Sequence, residues 1–220
     1  MRYDTVLFDL DGTLIDTKPG VLRSARTTLR ILGIPVPEER QLEKFLGPPL
    51  HVCFTDVIGM SPELADKAVP IYRRDLVESG NAFNCKPFDG IPELMQNLKS
   101  AGMKLGVATS KVTPLAIKVL EKTGLLGYFL TVSGSPADEP TFTKADSISR
   151  AISDIPGARC EDAVLIGDRS YDAQGAARAG TDSVGVLYGY GTRDEILSSG
   201  FTHVCSGVSD VGRFLLEGCR

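Results

Sequence analysis

Short apolar runs alternating with helical periodicity constrain this chain more than any other feature. The runs cover residues 5–10, 105–109, 129–133, 163–166 and 183–187. Between them, apolar residues recur three or four apart, as they do along one face of a helix. Strands separated by helices pair into a parallel sheet covered by those helices, so the expected class is α/β with a parallel-sheet core.

One interval breaks this rhythm. From residue 16 to about residue 87 no convincing strand occurs, whereas Val21, Leu22, Ala25, Leu29 and Leu32 predict an amphipathic helix ending at Gly33. Helical patches follow Pro37 and Pro62, and Pro35, Pro37, Pro48, Pro49, Pro62 and Pro70 are expected to cut the interval into short helices. The expected organisation is therefore a core of residues 1–15 and 87–220 carrying an inserted all-α domain of residues 16–86. The core resumes at "PFDGIPELMQNLKSAG", where Ile91, Leu94, Met95 and Leu98 share a helical face and Gly102 follows as a cap.

Length and composition narrow the function classes. The 220 residues suit one sizeable core with a small accessory domain, and 42% hydrophobic with 24% charged residues is ordinary globular composition. The net charge of -4 and the lack of a basic stripe argue against nucleic acid as a partner. Cys53, Cys85, Cys160, Cys205 and Cys219 are scattered and form no C-x-x-C pair, so neither a disulfide framework nor a zinc knuckle is expected. The first apolar run is interrupted by Asp9 and Asp11, which suits neither a signal peptide nor a membrane span. A cytoplasmic protein without membrane partners is expected.

In a parallel α/β sheet, ligands gather outside the carboxyl ends of the strands. The residues that fall there are Asp9, Asp11, Gly12 and Thr13 after the first run, Thr109, Ser110 and Lys111 after the second, and Asp168, Arg169 and Asp172 after the fourth, with Lys144 and Asp146 beyond the third. Asp9 and Asp11 lie two apart on extended backbone, so their carboxylates face the same side and repel unless a cation or shared proton intervenes. Oxygen-only ligands without His or Cys nearby suit Mg2+, with Asp168 as a third carboxylate and Asp172 supporting it from behind. Such a site suits phosphoryl chemistry. Mg2+ and Lys144 would neutralise the phosphoryl oxygens, Thr109 and Ser110 would hold them, Asp9 would attack phosphorus, and Asp11 would move protons.

Blander roles compete for several of these residues. Asp172 also suits the first turn of a helix, and Thr109 and Ser110 could cap one. His51 and His203 have no partner motif, and "YGYG" at residues 188–191 matches no nucleotide fingerprint and reads as a turn. Arg73 and Arg74 read as a solvated helix face. Thr17 and Lys18 sit where the chain leaves the core and suit either a substrate contact or a hinge.

Taken together, "DLDGT" after a strand, "ATS" at the end of another, the downstream Lys144 and "GDRSYD" resemble the haloacid dehalogenase-like phosphatase superfamily over nearly the whole chain. The resemblance implies a Rossmann-like core with Asp9 as nucleophile, Asp11 as acid/base, Thr109 or Ser110 with Lys144 on phosphate, and Asp168 with Asp172 on Mg2+. It also implies that the backbone carbonyl of Asp11 ligates the metal. The insertion resembles the helical cap of the phosphoglycolate phosphatase-like branch, as does "GVLYGYGTRDEILSSG". One departure is "TFTKADSI" where many members have K-P-x-P, which leaves Lys111 open as an alternative to Lys144. The carboxylate at Asp11 is what true dehalogenases of the superfamily lack. The implied activity is hydrolysis of a small phosphomonoester, resembling phosphoglycolate, a nucleoside monophosphate or a sugar phosphate, by a monomer or homodimer. A phosphomutase of the β-phosphoglucomutase type and a non-catalytic phospholigand-binding protein are the alternatives, and Gly167, where those mutases carry an acidic residue, leans toward hydrolysis.

Overall fold

The computed structural model describes residues 3–48, 50–136 and 142–217. Pro49 and Cys219, both weighed above, lie outside them. Two compact units emerge, residues 1–15 with 87–220 and residues 16–86.

The first unit is built on β1 (Thr5–Phe8), whose four residues are all buried. The chain then passes through β2 (Ile15–Asp16) into the second unit. There, α1 (Lys18–Ile31) buries Leu22, Ala25 and Leu29 on one face, and α2 (Glu39–Leu42) and α3 (Leu50–Val52) follow as short pieces. The 17-residue α4 (Pro62–Glu78) packs on α1 and buries Ala65, Ala68, Tyr72 and Leu76. Pro70 does not cut this helix, contrary to the expectation from sequence. A proline inside a helix removes one hydrogen bond and costs about 3 kcal/mol. The buried face flanking Pro70 offsets this, because each fully buried Leu or aromatic side chain contributes about 1.5–3 kcal/mol. Asn81 bridges the two helices, its Nδ2 donating to Ser24 Oγ at 3.0 Å and to Asp75 Oδ2 at 3.1 Å.

The chain returns through β3 (Lys86–Pro87) to α5 (Ile91–Ser100), β4 (Lys104–Val112), α6 (Thr113–Lys122), β5 (Thr131–Ser135), α7 (Lys144–Asp154) and β6 (Ala163–Gly167). Next come α8 (Ser170–Ala179), β7 (Asp182–Val186), α9 (Arg193–Ser198), β8 (His203–Cys205) and α10 (Val208–Glu217). Ile91, Leu94, Met95 and Leu98 are all buried, as their spacing predicts. The sheet order is β5-β4-β1-β6-β7-β8, with every pair parallel. It therefore holds six strands among the described residues rather than five. The sixth, "HVC", is too short to show a period and forms because β7 offers it an open edge.

Register decides where the site falls. Phe8 of β1 stands beside Val107 of β4 on one side and Ile166 of β6 on the other. The residues just beyond those three positions therefore share one edge of the sheet. Beneath it, Leu7, Ala108 and Leu165 pack with Ile148, Ile152 and Ala176 of α7 and α8 into an apolar core.

Candidate active site

Asp9 follows β1, and its backbone N–H donates to Ile166 O at 2.9 Å, which ties the start of the loop to β6. The chain then turns tightly. Leu14 and Ile15 N–H both donate to Leu10 O, and Gly12, at φ +88°, lets the backbone pass so close to Asp168 that a Cβ there would overlap its carboxylate. Asp168 leaves β6 fully buried, and α8 begins two residues on.

Asp172, in the first turn of α8, turns its carboxylate back on the loop. Its Oδ2 accepts from Asp168 N–H at 3.1 Å and Arg169 N–H at 3.0 Å, so the helix-acid role weighed for it is real. Gly167 permits this, because a Cβ at that position would overlap the Asp172 side chain. The other oxygen faces the site. Asp172 thus stands close to Asp9 and Asp168, the three offering carboxylate oxygens within 4.8 Å of one another.

Lys144 opens α7, whose start is set by a capping box between Thr143 and Asp146. A cation in the first helical turn opposes the helix dipole, so carboxylates must account for it. Its Nζ lies 2.6 Å from Asp9 Oδ1 and 2.7 Å from Asp172 Oδ1, with the side chain only 7% exposed. Burial alone would lower the Lys144 ammonium, but Asp172 and Asp9 outweigh it and hold it above its ordinary value. Gly175 of α8 makes room, since a Cβ there would meet Lys144 Cγ at 2.7 Å. Ser147 anchors α7 by donating to Ser133 O at 2.6 Å and Thr109 O at 3.3 Å.

Charge in this cluster is unbalanced. Three carboxylates face one ammonium, which leaves two negative charges when all are ionised. Burial accordingly raises Asp9 to about 6 against the pull of Lys144 and with the push of Asp172, and raises Asp168 well above the carboxylate range. A divalent cation relieves that excess, and an all-oxygen donor set suits a hard one. The residues present therefore fit a metal.

Asp11 stands apart. Its carboxylate is not one of the three, and its Oδ2 lies 3.0 Å from Lys111 Nζ. Thr109 is buried and its Oγ1 accepts from Lys111 N–H at 3.3 Å, while Ser110 is exposed. Thr17 and Lys18 belong to the second unit, where Lys18 pairs with Glu43 at 2.5 Å. Arg73 and Arg74 are exposed, His51 pairs with Asp66, and His203 stacks on Phe214.

Two features named from sequence had no role assigned to them there. Thr13, fully buried, donates from Oγ1 to Asp168 Oδ1 at 3.0 Å. The "YGYG" turn supports the same carboxylate. Tyr190 N–H donates to Asp168 Oδ2 at 2.8 Å, Tyr188 Oη donates to Thr13 O at 3.0 Å, and Gly189 and Gly191 pack against Asp168 too closely for any Cβ. Burial, with the charge of Asp168 behind it, keeps the Tyr188 hydroxyl protonated and so a donor. The signal available was a pair of glycines alternating with aromatics at a strand end.

Residues 6–186 match the sequence family described as "Haloacid dehalogenase-like hydrolase". The chain belongs to that family. It is 38% identical over 215 residues to a 5'-nucleotidase of Pseudomonas aeruginosa, covering 98% of this chain and 96% of that protein. It is also 39% identical over 191 residues to the tyrosine-protein kinase PtkA of Mycobacterium tuberculosis, covering 87% of this chain but only 64% of that protein. The crystal structure of a predicted phosphatase from Clostridium acetobutylicum superposes with a TM-score of 0.91 at 37% identity, covering 98% of this chain and 99% of that one. This haloacid dehalogenase-like hydrolase is an enzyme of the phosphatase type. Among the described residues, no helix is long and apolar enough to cross a membrane.

Proposed function

We propose that this hydrolase removes phosphate from a small phosphomonoester in a Mg2+-dependent, two-step reaction through a phosphorylated Asp9. The observation that carries the reading is the meeting of Asp9, Asp168 and Asp172 with Lys144 in one buried cluster beside Asp11. Asp9 and Asp168, with Asp172 beside them and the backbone carbonyl of Asp11, would hold the metal. When bound, the ion supplies positive charge that neutralises phosphoryl oxygens and lets an anionic nucleophile approach.

In the first step a carboxylate oxygen of Asp9 forms a bond to phosphorus as the bond to the alcohol oxygen breaks, and Asp11 gives that oxygen its proton. In the second, Asp11 takes a proton from water, the water oxygen bonds to phosphorus, and the Asp9–phosphorus bond breaks. Lys144 neutralises charge on both Asp9 and the phosphoryl group throughout. Thr109, aided by Ser110, holds the remaining phosphoryl oxygens in line. Choice of the alcohol portion is assigned to the helical unit, with Thr17 and Lys18 as its candidate contacts.

The likeness to a 5'-nucleotidase puts nucleoside 5'-monophosphates first in a substrate panel, followed by phosphoglycolate and sugar phosphates. Release of inorganic phosphate with Mg2+, lost on chelation and restored by adding Mg2+ back, is the expected result. Failure to hydrolyse any phosphoester of a broad panel would overturn the proposal.

A further inference from the structure

Lys111 lies on β4, one strand over from Asp11, yet its ammonium reaches Asp11 Oδ2 at 3.0 Å. This is no surface pair. The Lys111 side chain is 10% exposed and that of Asp11 23%, whereas lysine is ordinarily among the most exposed residues. Local backbone aims it there. The β4–β5 register slips between Ala108 and Val112, an irregularity of the sort that redirects side chains near active sites, and Thr109 Oγ1 holds Lys111 N–H.

The second oxygen of the same carboxylate is the complementary observation. Asp11 Oδ1 is buried and has no hydrogen-bond partner among the described residues. A buried acceptor left without a donor is costly and rare, and calls for a role that the folded chain alone does not fill. Lys144 is directed elsewhere, its Nζ lying against Asp9 Oδ1 and Asp172 Oδ1.

We propose that Lys111 is a positioning residue that fixes Asp11 through Oδ2 and thereby leaves Oδ1 as the oxygen that passes the proton to and from the reacting groups. The inference rests on the assignment of Asp11 as acid/base. An aspartate carboxylate rotates easily about its terminal torsion, and proton transfer needs hydrogen-bond reach. A lysine clamped to one oxygen removes that freedom. The two lysines thus divide the site, one serving Asp9 and Asp172, the other serving Asp11.

Lys111→Met and Lys111→Arg, assayed with p-nitrophenyl phosphate and with glycerol phosphate, test this. The nitrophenolate leaves without a proton, whereas the glycerol oxygen needs one. In Lys111→Met, kcat/KM is expected to fall about 30-fold for glycerol phosphate and only about threefold for p-nitrophenyl phosphate, the range that lost positioning of a general acid commands. Inhibition by inorganic phosphate stays at the wild-type level, and Lys111→Arg recovers most of the glycerol phosphate rate. Because both substrates report on one preparation, a folding defect cannot produce the difference. Equal losses on both, with weaker phosphate inhibition, would make Lys111 a phosphate ligand and overturn the proposal, as would no loss on either. Wild-type protein that hydrolyses neither these two substrates nor any other phosphoester of the broad panel would instead bring down the phosphatase reading itself.

Discussion

Replacing Asp9 by asparagine exchanges a buried carboxylate for a neutral amide of nearly the same shape, and the consequences for stability and turnover should run in opposite directions. Burial raises Asp9 from 3.8 to about 6 even with Lys144 2.6 Å away. A carboxyl group whose folded value lies above its unfolded one binds more protons when folded, so its contribution to stability is present below about 3.8 and is lost as pH rises toward about 6. The gap between those two values corresponds to about 3 kcal/mol above pH 6. The amide of the variant carries no such cost, and Lys144 keeps Asp172 at 2.7 Å. Without divalent cation at about pH 8, Asp9→Asn should therefore be more stable than wild type by about 3 kcal/mol, or about 6–12 °C in Tm for a chain of this size. The advantage should shrink to about half at about pH 5 and nearly vanish below about pH 4. Urea unfolding of both proteins in EDTA at these pH values measures it, while the same variant loses phosphatase activity when Mg2+ is supplied. A variant less stable than wild type at the alkaline end, or an advantage that does not change with pH, would refute the reasoning.

Gly175→Ala places a Cβ 2.7 Å from Lys144 Cγ, so Lys144 must shift off Asp9 and Asp172; kcat should fall at least about tenfold while circular dichroism stays that of the wild type. Thr13→Val removes the hydroxyl that donates to Asp168 Oδ1, and a hydrogen bond to a charged group is worth about 1.5–3 kcal/mol. Titration of activity with Mg2+ should accordingly show an apparent affinity weaker by about tenfold or more, relieved at high Mg2+.

Much of the core was legible because its strands alternate with helices whose apolar faces keep their period. Ile91, Leu94, Met95 and Leu98 are buried as their spacing requires. The same holds for the residues that leave strand ends: once β1, β4 and β6 are parallel and in register, Asp9, Thr109 and Asp168 must share an edge. What could not be read depends on partners distant in sequence. β8 exists only because β7 pairs with it, and α4 runs through Pro70 because packing on α1 outweighs a local rule. The supports of Asp168 join residues 13 and 190 to residue 168, and although the alternating glycines and aromatics mark the second segment, nothing local says which carboxylate it meets. Lys111 and Lys144 both stood as sequence candidates for one role, and only the folded backbone sends the first to Asp11 and the second to Asp9.

The nucleophile is the centre of this account, and it can be tested by mapping the phosphoryl group itself. Wild-type protein mixed with substrate and Mg2+, quenched in acid and digested, should yield a single phosphorylated peptide, the one that contains Asp9, and its amount should fall to nothing in Asp9→Asn. Turnover with no phosphoryl group on Asp9, or a phosphorylated peptide that persists unchanged in Asp9→Asn, would contradict it.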